Sequence, residues 1–291
     1  MTPVLLLQVM ALGLLTGLVY ALVAAGLSLI FGLMDVVNFA HGQFLMLAMY
    51  AAFAVHAASG VGVALELPLV VLLLFVLGVA TYRGLIARAL GVATNRGMVQ
   101  IFVTFGLGIF LTGAAQFVFG GDFRSIGDGM LANRSLILHG LHLPLAQVAA
   151  AVVCLLAFAA LALISRTEFG RALAATREDR EAVALIGIDR NRIFALGWGL
   201  GCAAVGVAGV MLVQFYYVSP NVGADFALIA YVTVALGGFG SLLGALVAGI
   251  LIGEVEALTA LLLEPSLKQV GMFAIYLAVL MLRPRGLFGR L

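Results

Sequence analysis

Charge is scarce in this chain of 291 residues: 10% are Asp, Glu, Lys or Arg, and Lys268 is the single lysine. So few charged groups cannot keep a globular surface in water, which excludes a soluble domain of ordinary composition. A P-loop needs a Gly-x-x-x-x-Gly-Lys-Ser/Thr run to cradle phosphates, and Lys268 sits instead in Pro265-Ser-Leu-Lys-Gln, so this chain cannot bind ATP in that way. Cys154 and Cys202, the two cysteines, both lie in apolar runs. They make neither a disulfide framework nor a metal cluster and read as small packing residues. Cys/His sets with zinc spacing and a Gly-x-Ser-x-Gly nucleophile turn are both missing, and the His139/His142 pair falls in a loop where the spacing is incidental. Covalent catalysis is thereby excluded as the reading. The start, Met1-Thr2-Pro3, has no basic segment and no small-residue cleavage site before the next apolar stretch, so no removed signal peptide is expected.

What the chain has is apolar length. Hydrophobic residues make up 64% and the mean hydropathy is +1.22. A helix needs about 20 apolar residues to cross about 30 Å of hydrocarbon. Such stretches occur at 4 to 31, 36 to 58, 63 to 82, 98 to 120, 145 to 165, 193 to 215, 224 to 240, 241 to 262 and 267 to 283. These runs carry no period-2 alternation, so they predict helices rather than barrel strands. The expectation is an all-α polytopic transmembrane bundle of about nine spans, within a range of eight to ten, forming one domain over 1–291. The shortest stretch, 224 to 240, is also readable as a half-helix, and 36 to 58 opens with polar residues that could sit at membrane depth. The 36 glycines fit close helix packing, with breaks near a translocation path as their second use.

Basic residues give a direction. Of the fifteen, Arg83, Arg88 and Arg96 fall in the loop 83 to 97; Arg166, Arg171, Arg177, Arg180, Arg190 and Arg192 in the loop 166 to 192; and Arg283, Arg285 and Arg290 in the tail. With nine spans all three segments share one face. Lys and Arg near span ends stay cytoplasmic, so the N-terminus and the loop 121 to 143 are expected outside and the C-terminus inside. The outer loop, with Asp122, Arg124, Asp128 and Arg134, is balanced in charge, suited to a docking protein and equally to water. Spans one to three and seven to nine run in the same direction, each set with a glycine-rich polar break, a faint echo of an internal repeat.

In the loop 166 to 192, Thr176 followed three residues later by Asp179 reads as a capping box. Glu178 and Glu181 complement the positive helix end, and Gly187 suits the left-handed C′ position. A short helix from 177 to 186 is expected, with Val183 and Ile186 as its apolar face, lying on a membrane surface, against a partner, or simply in a solvated loop. Asp35, Asn38, His41 and Gln43 form the most polar cluster in an otherwise apolar region. Ionisable and polar groups at membrane depth are functional by default, while Asp35 is equally placed to cap the second span. Asn38 and His41, three apart, can share a helix face lining a path. Gly237, Gly238, Gly240, Ser241 and Gly244 read either as a close crossing with a tight turn or as a broken helix whose amides bind a carboxylate.

Several of these stretches together resemble one family. Glu181-Ala182 with Gly187 five residues on is similar to the cytoplasmic loop of ABC importer permeases. Phe169-Gly170-Arg171-Ala172 and Gly187-Ile188, Gly32-Leu-Met-Asp-Val-Val-Asn-Phe-Ala-His-Gly-Gln-Phe44, Leu236-Gly-Gly-Phe-Gly-Ser-Leu-Leu-Gly-Ala245 and Arg283-Pro-Arg-Gly-Leu-Phe-Gly289 resemble the branched-chain amino acid permease family of the LivH type, end to end. The match departs at Gln43, where the family pattern is expected to carry an acidic residue.

The resemblance implies a permease subunit of an inner-membrane ABC importer that moves branched-chain or other hydrophobic amino acids by alternating access. It implies a second permease subunit, two cytoplasmic ATPases that bind ATP and Mg2+, and a periplasmic binding protein, with no cofactor on this chain itself. Asn38, His41, Gln43, Gly237, Gly238 and Ser241 would then line the substrate path. Arg171, Thr176, Asp179, Glu181, Ala182 and Gly187 would belong to a coupling helix docked on an ATPase. The same architecture serving urea, short amides or small organic acids stays open, as does a secondary transporter or channel without an ATPase.

Overall fold

A computed structural model describes residues 3–34, 37–91, 93, 95–126, 134–138, 140–179, 182–185 and 187–289. The helices are α1 (Pro3–Met34), α2 (His41–Ser59), α3 (Val63–Thr81), α4 (Ala87–Gly91), α5 (Arg96–Phe119), α6 (Leu145–Ile164), α7 (Glu168–Glu178), α8 (Ala182–Leu185), α9 (Arg190–Leu212), α10 (Val222–Gly237), α11 (Leu242–Leu262) and α12 (Lys268–Leu282). A π-helical turn, Tyr82–Ile86, joins α3 to α4, and strands β1 (Ser135–Leu138) and β2 (Leu141–Pro144) form an antiparallel hairpin before α6. Among the described residues, 8 helices are long and apolar enough to cross a membrane. The ninth expected segment is α10, whose 16 residues give about 24 Å of helix, short of the hydrocarbon thickness.

Two helices form the centre of the bundle. α1 is buried almost continuously from Val19 to Met34, and α9 from Ile193 to Leu212. With lipid as apolar as leucine, association in the membrane rests on close contact rather than on water exclusion. α1 and α11 cross antiparallel through Gly13 and Gly17 on one side and Gly249 and Gly253 on the other; a Cβ on Gly249 would lie 2.5 Å from the Cα of Ala21. Trp198 of α9, fully buried, donates its indole N–H to the Sδ of Met34 at 3.2 Å. α5 and α12 are the least covered. Phe110 is 68% exposed and Met281 86% exposed, surfaces that suit lipid or a second subunit.

The polypeptide has two distinct ends. At one lie the hairpin and the start of α1, tied together where Gln8 accepts from the His142 amide at 2.7 Å. Arg134 and Lys268 lie at this end too, and Arg124 pairs with Val218 there through a backbone bridge. The opposite end carries Arg83, Arg88 and Arg96, then α7 with Arg171, then Arg190 and Arg192 at the start of α9, and finally Arg283 and Arg285.

The single helix expected from 177 to 186 is not what forms. α7 starts nine residues earlier, capped by Thr167, whose Oγ1 accepts from the Gly170 amide at 3.4 Å. Thr176 is interior and buried, its hydroxyl turned back to donate to the Ala172 carbonyl at 2.7 Å. A threonine can satisfy itself in this way inside a helix as readily as it caps one, and the packing of Leu173 against Gly197 of α9 holds the earlier register. α8 is a single turn closed by Gly187 at φ +83 and by the Ile188 amide donating to Val183 at 3.0 Å. That is the left-handed C-terminal arrangement expected of this glycine. Glu181 lies outside the described residues, as does Asp35 with its expected capping role.

A bulky side chain at the α1–α11 crossing should push the helices apart. Gly249→Val is expected to cost about 1–3 kcal/mol or more, seen as a lower thermal midpoint of the detergent-purified chain. Gly113→Val, on α5 with open space around it, should leave the midpoint unchanged.

Candidate functional site

α2 begins at His41, and residues 37–40 before it are not helical. Each backbone group freed there has to be satisfied within the protein. Phe39 N–H donates to Thr104 Oγ1 of α5 at 3.2 Å, and Tyr231 of α10 donates its hydroxyl to the carbonyls of Asn38 and Phe39 at 3.2 and 3.1 Å. Asn38 folds its own side chain back, Oδ1 accepting from Ala40 N–H at 3.0 Å. Two helices and the break's own Asn38 thus hold it.

The break lies near mid-membrane. His41 Nε2 meets the Val23 carbonyl of α1 at 2.9 Å. At about 1.5 Å rise per residue, Val23 is about 22 Å of helix from Gln8 and about 16 Å from Met34. Gly108, which faces Gln43 and Ala40, is likewise about 18 Å from one end of α5 and about 16 Å from the other. Gly42 and Gly223 touch backbone to backbone, which brings the N-termini of α2 and α10 together at this depth. Only glycine allows that approach: a Cβ on Gly42 would collide with the Gly223 carbonyl.

Beside the crossing is a cavity of about 500 Å³ between α2, α5 and α10, a size typical of small-molecule sites. Its walls are apolar at Phe39, Phe105, Ile109, Ala227 and Leu228, with Gln43, Thr112, Gln116 and Tyr231 as the polar contributions. The Gln43 Oε1 is buried without a hydrogen-bond partner among the described residues. A mostly apolar chamber with a few directed polar groups and two positive helix ends suits a small amphipathic solute.

Residues 9–280 match the family model described as branched-chain amino acid transport system / permease component. The chain belongs to that family. The permease protein LivH of Salmonella typhimurium, of a high-affinity branched-chain amino acid transport system, is 31% identical over 296 residues, covering 98% of this chain and 96% of its own. BraD of Pseudomonas aeruginosa, described in the same words, is 31% identical over 297 residues with the same coverage. A probable branched-chain amino acid transport permease, LivH of Methanocaldococcus jannaschii, is 27% identical over 92% of this chain and 88% of its own. Among solved structures, PsaBC from Streptococcus pneumoniae in complex with Fab covers 96% of this chain and 93% of that one at 16% identity and a TM-score of 0.47. The permease is accordingly a multi-pass protein of the cytoplasmic membrane and the membrane component of a transport system.

Of the permease residues expected to line a path, Gln43 is on the cavity wall. Asn38 and His41 are fully buried, and they hold the break from behind rather than face the chamber. Their three-residue spacing does not put them on one helix face, because the helix begins only at His41. Gly237, Gly238 and Ser241 lie elsewhere, in the turn from α10 to α11 at the arginine-rich end. Gly238 takes φ +99 there, and Ser241 Oγ accepts from Gly244 N–H at 3.0 Å. The tail seals this turn, with Leu287 and Phe288 amides donating to the Leu236 and Gly237 carbonyls at 2.8 and 3.0 Å. Gly237 and Gly244 lie close together in this turn, where a Cβ on either would meet the other's backbone. Sequence reasoning missed Thr104, Thr112, Gln116 and Tyr231. Their only signal was a scatter of polar atoms in long apolar runs.

Removing the Tyr231 hydroxyl that serves two carbonyls should loosen the break. Tyr231→Phe is expected to destabilise the permease by about 1–3 kcal/mol, read as a lower midpoint in thermal unfolding of the purified protein.

Proposed function

We propose that the permease is one half of the membrane path of an ATP-driven importer for branched-chain or other hydrophobic amino acids, working by alternating access. The observation that carries this is the mid-membrane break with its chamber: apolar walls for an aliphatic side chain, two converging helix N-termini and Gln43 for the polar end. Aromatic and aliphatic walls speak against urea or short amides as the solute. The relatives' transport of branched-chain amino acids supports the same substrate class. In this reading the arginine-rich end is cytoplasmic and the hairpin end faces a periplasmic binding protein. A second permease closes the chamber against the exposed side of α5.

Two ATPases, which bind ATP and Mg2+, would drive the cycle, with this chain holding no cofactor. The docking element is α7 with α8. α7 packs on α9 through Leu173 and also touches α1, while Arg171 and Asp179 are exposed and Leu185 of α8 stands 89% exposed. An apolar side chain so bare, beside Ala182 and Gly187 at the arginine-rich end, suits a groove on a partner protein.

The test is reconstitution of the permease with its second permease, ATPases and binding protein in proteoliposomes, following L-leucine uptake on ATP addition. Gln43→Leu should lower uptake about tenfold or more while assembly by size exclusion is unchanged; undiminished uptake would move the path away from this chamber. Leu185→Asp should weaken ATPase co-purification. Uptake by the permease alone, driven by an ion gradient, would overturn the proposal in favour of a secondary transporter.

A further inference from the structure

A second cavity, of about 270 Å³, lies at the hairpin end between α1, α6, α11 and α12, with α10 separating it from the path: Phe226 lines this one and Ala227 the other. Its floor holds a carboxylate. Glu256 is 6% exposed, and its Oε2 accepts from the Tyr20 hydroxyl at 2.8 Å, while Oε1 is buried with no partner among the described residues. The Gln147 Oε1, in the wall of the same cavity, is also buried without a donor. Thr16 spends its proton on the Leu12 carbonyl at 3.0 Å, which leaves its oxygen as an acceptor there.

Two oxygens in one small space therefore lack donors and a third can accept one, and an ammonium group offers three N–H bonds. A half-satisfied carboxylate inside a membrane protein is too costly to be kept as mere packing. Lys268 lines the same cavity and makes no ion pair with Glu256 among the described residues, so a basic and an acidic side chain share the space without pairing. Leu12, Leu212 and Ala257 add apolar wall to the same cavity.

We propose that this second cavity binds a free α-amino acid, its ammonium on Glu256, Gln147 and Thr16 and its carboxylate on Lys268. The choice of an amino acid, rather than another zwitterion, rests on the importer reading. The site is separate from the central chamber and is reached from the hairpin end. Tyr216 and Tyr20, each in edge-to-face contact with Phe226, form the partition toward α10.

The assembled wild-type importer in nanodiscs serves for the test. Dicyclohexylcarbodiimide couples to carboxyls held in apolar surroundings, and mass spectrometry reads its adduct at Glu256. Saturating L-leucine or isoamylamine should slow labelling about tenfold or more, whereas isocaproate, the same skeleton without nitrogen, should not. Equilibrium dialysis of radiolabelled isoamylamine gives the second measurement, expected to be about tenfold weaker for Glu256→Gln at unchanged assembly. It also decides the matter should the carboxyl prove unreactive. Protection by sodium or potassium equal to that by L-leucine would overturn the proposal in favour of an alkali cation, and protection by isocaproate or by nothing would overturn it outright. Amine protection without any ATP-driven uptake would leave this site standing and sink the importer reading; normal uptake without protection would do the reverse.

Discussion

Hydrocarbon offers no hydrogen-bond partner, so every amide and carbonyl that leaves a helix inside the membrane must find one in the protein, at a cost of several kcal/mol each where it fails. That constraint explains why the chain can interrupt itself at residues 37–40. Thr104 comes from α5, Tyr231 from α10 and the Asn38 side chain from the break itself, so the irregular segment is possible only where these helices already converge. The convergence in turn depends on glycine. Gly42 and Gly223 let two helix starts touch, and Gly13, Gly17, Gly249 and Gly253 let α1 and α11 close behind them. The chamber is what remains on the open side of that arrangement.

The bundle itself was legible in the sequence because hydrophobic length is a local property. Eight long apolar helices and a short one correspond to the nine expected stretches. The shortness of α10 was visible in the same way, since Asn221 and Gly238 bound an apolar run too brief to cross. The site was less legible. Gln43 could be singled out as a polar residue among apolar ones, but its neighbours in the chamber come from α5 and α10, far away in sequence. Asn38 and His41 stood out for the same polarity and turned out to face inward, because a spacing argument assumes a helix and the helix starts only at the second of them. Thr176 shows the other limit: its hydroxyl suits a cap or a bond back to the preceding turn, and only the packing of Leu173 on α9 decides between them.

Buried carboxylates mark where a membrane protein spends stability on something other than packing. Glu66 is wholly buried and shared between His56 at 2.9 Å and Gln214 at 3.3 Å, which ties α2 and α3 to the segment after α9 at the hairpin end. Both of its oxygens are engaged, as a structural acid requires. Glu256 is engaged on one oxygen only. The contrast between two acids of similar burial separates a strut from a site more sharply than burial alone.

α10 is the element these features share. One face lines the central chamber and the other the second cavity, and its N-terminus meets that of α2. Its far end is fixed in a different manner, by the tail amides of Leu287 and Phe288 and by the Phe31–Phe239 ring contact at 4.4 Å to the end of α1. α7 packs on α1 and α9 at that same end. A load applied at α7 therefore meets α1 and α9, packed helices that reach the break. Packed interiors transmit displacement rather than soften it. α10 is short and anchored at its far end, while at Gly223 it rests backbone to backbone on α2, so a shift of α2 meets it with no side chain between.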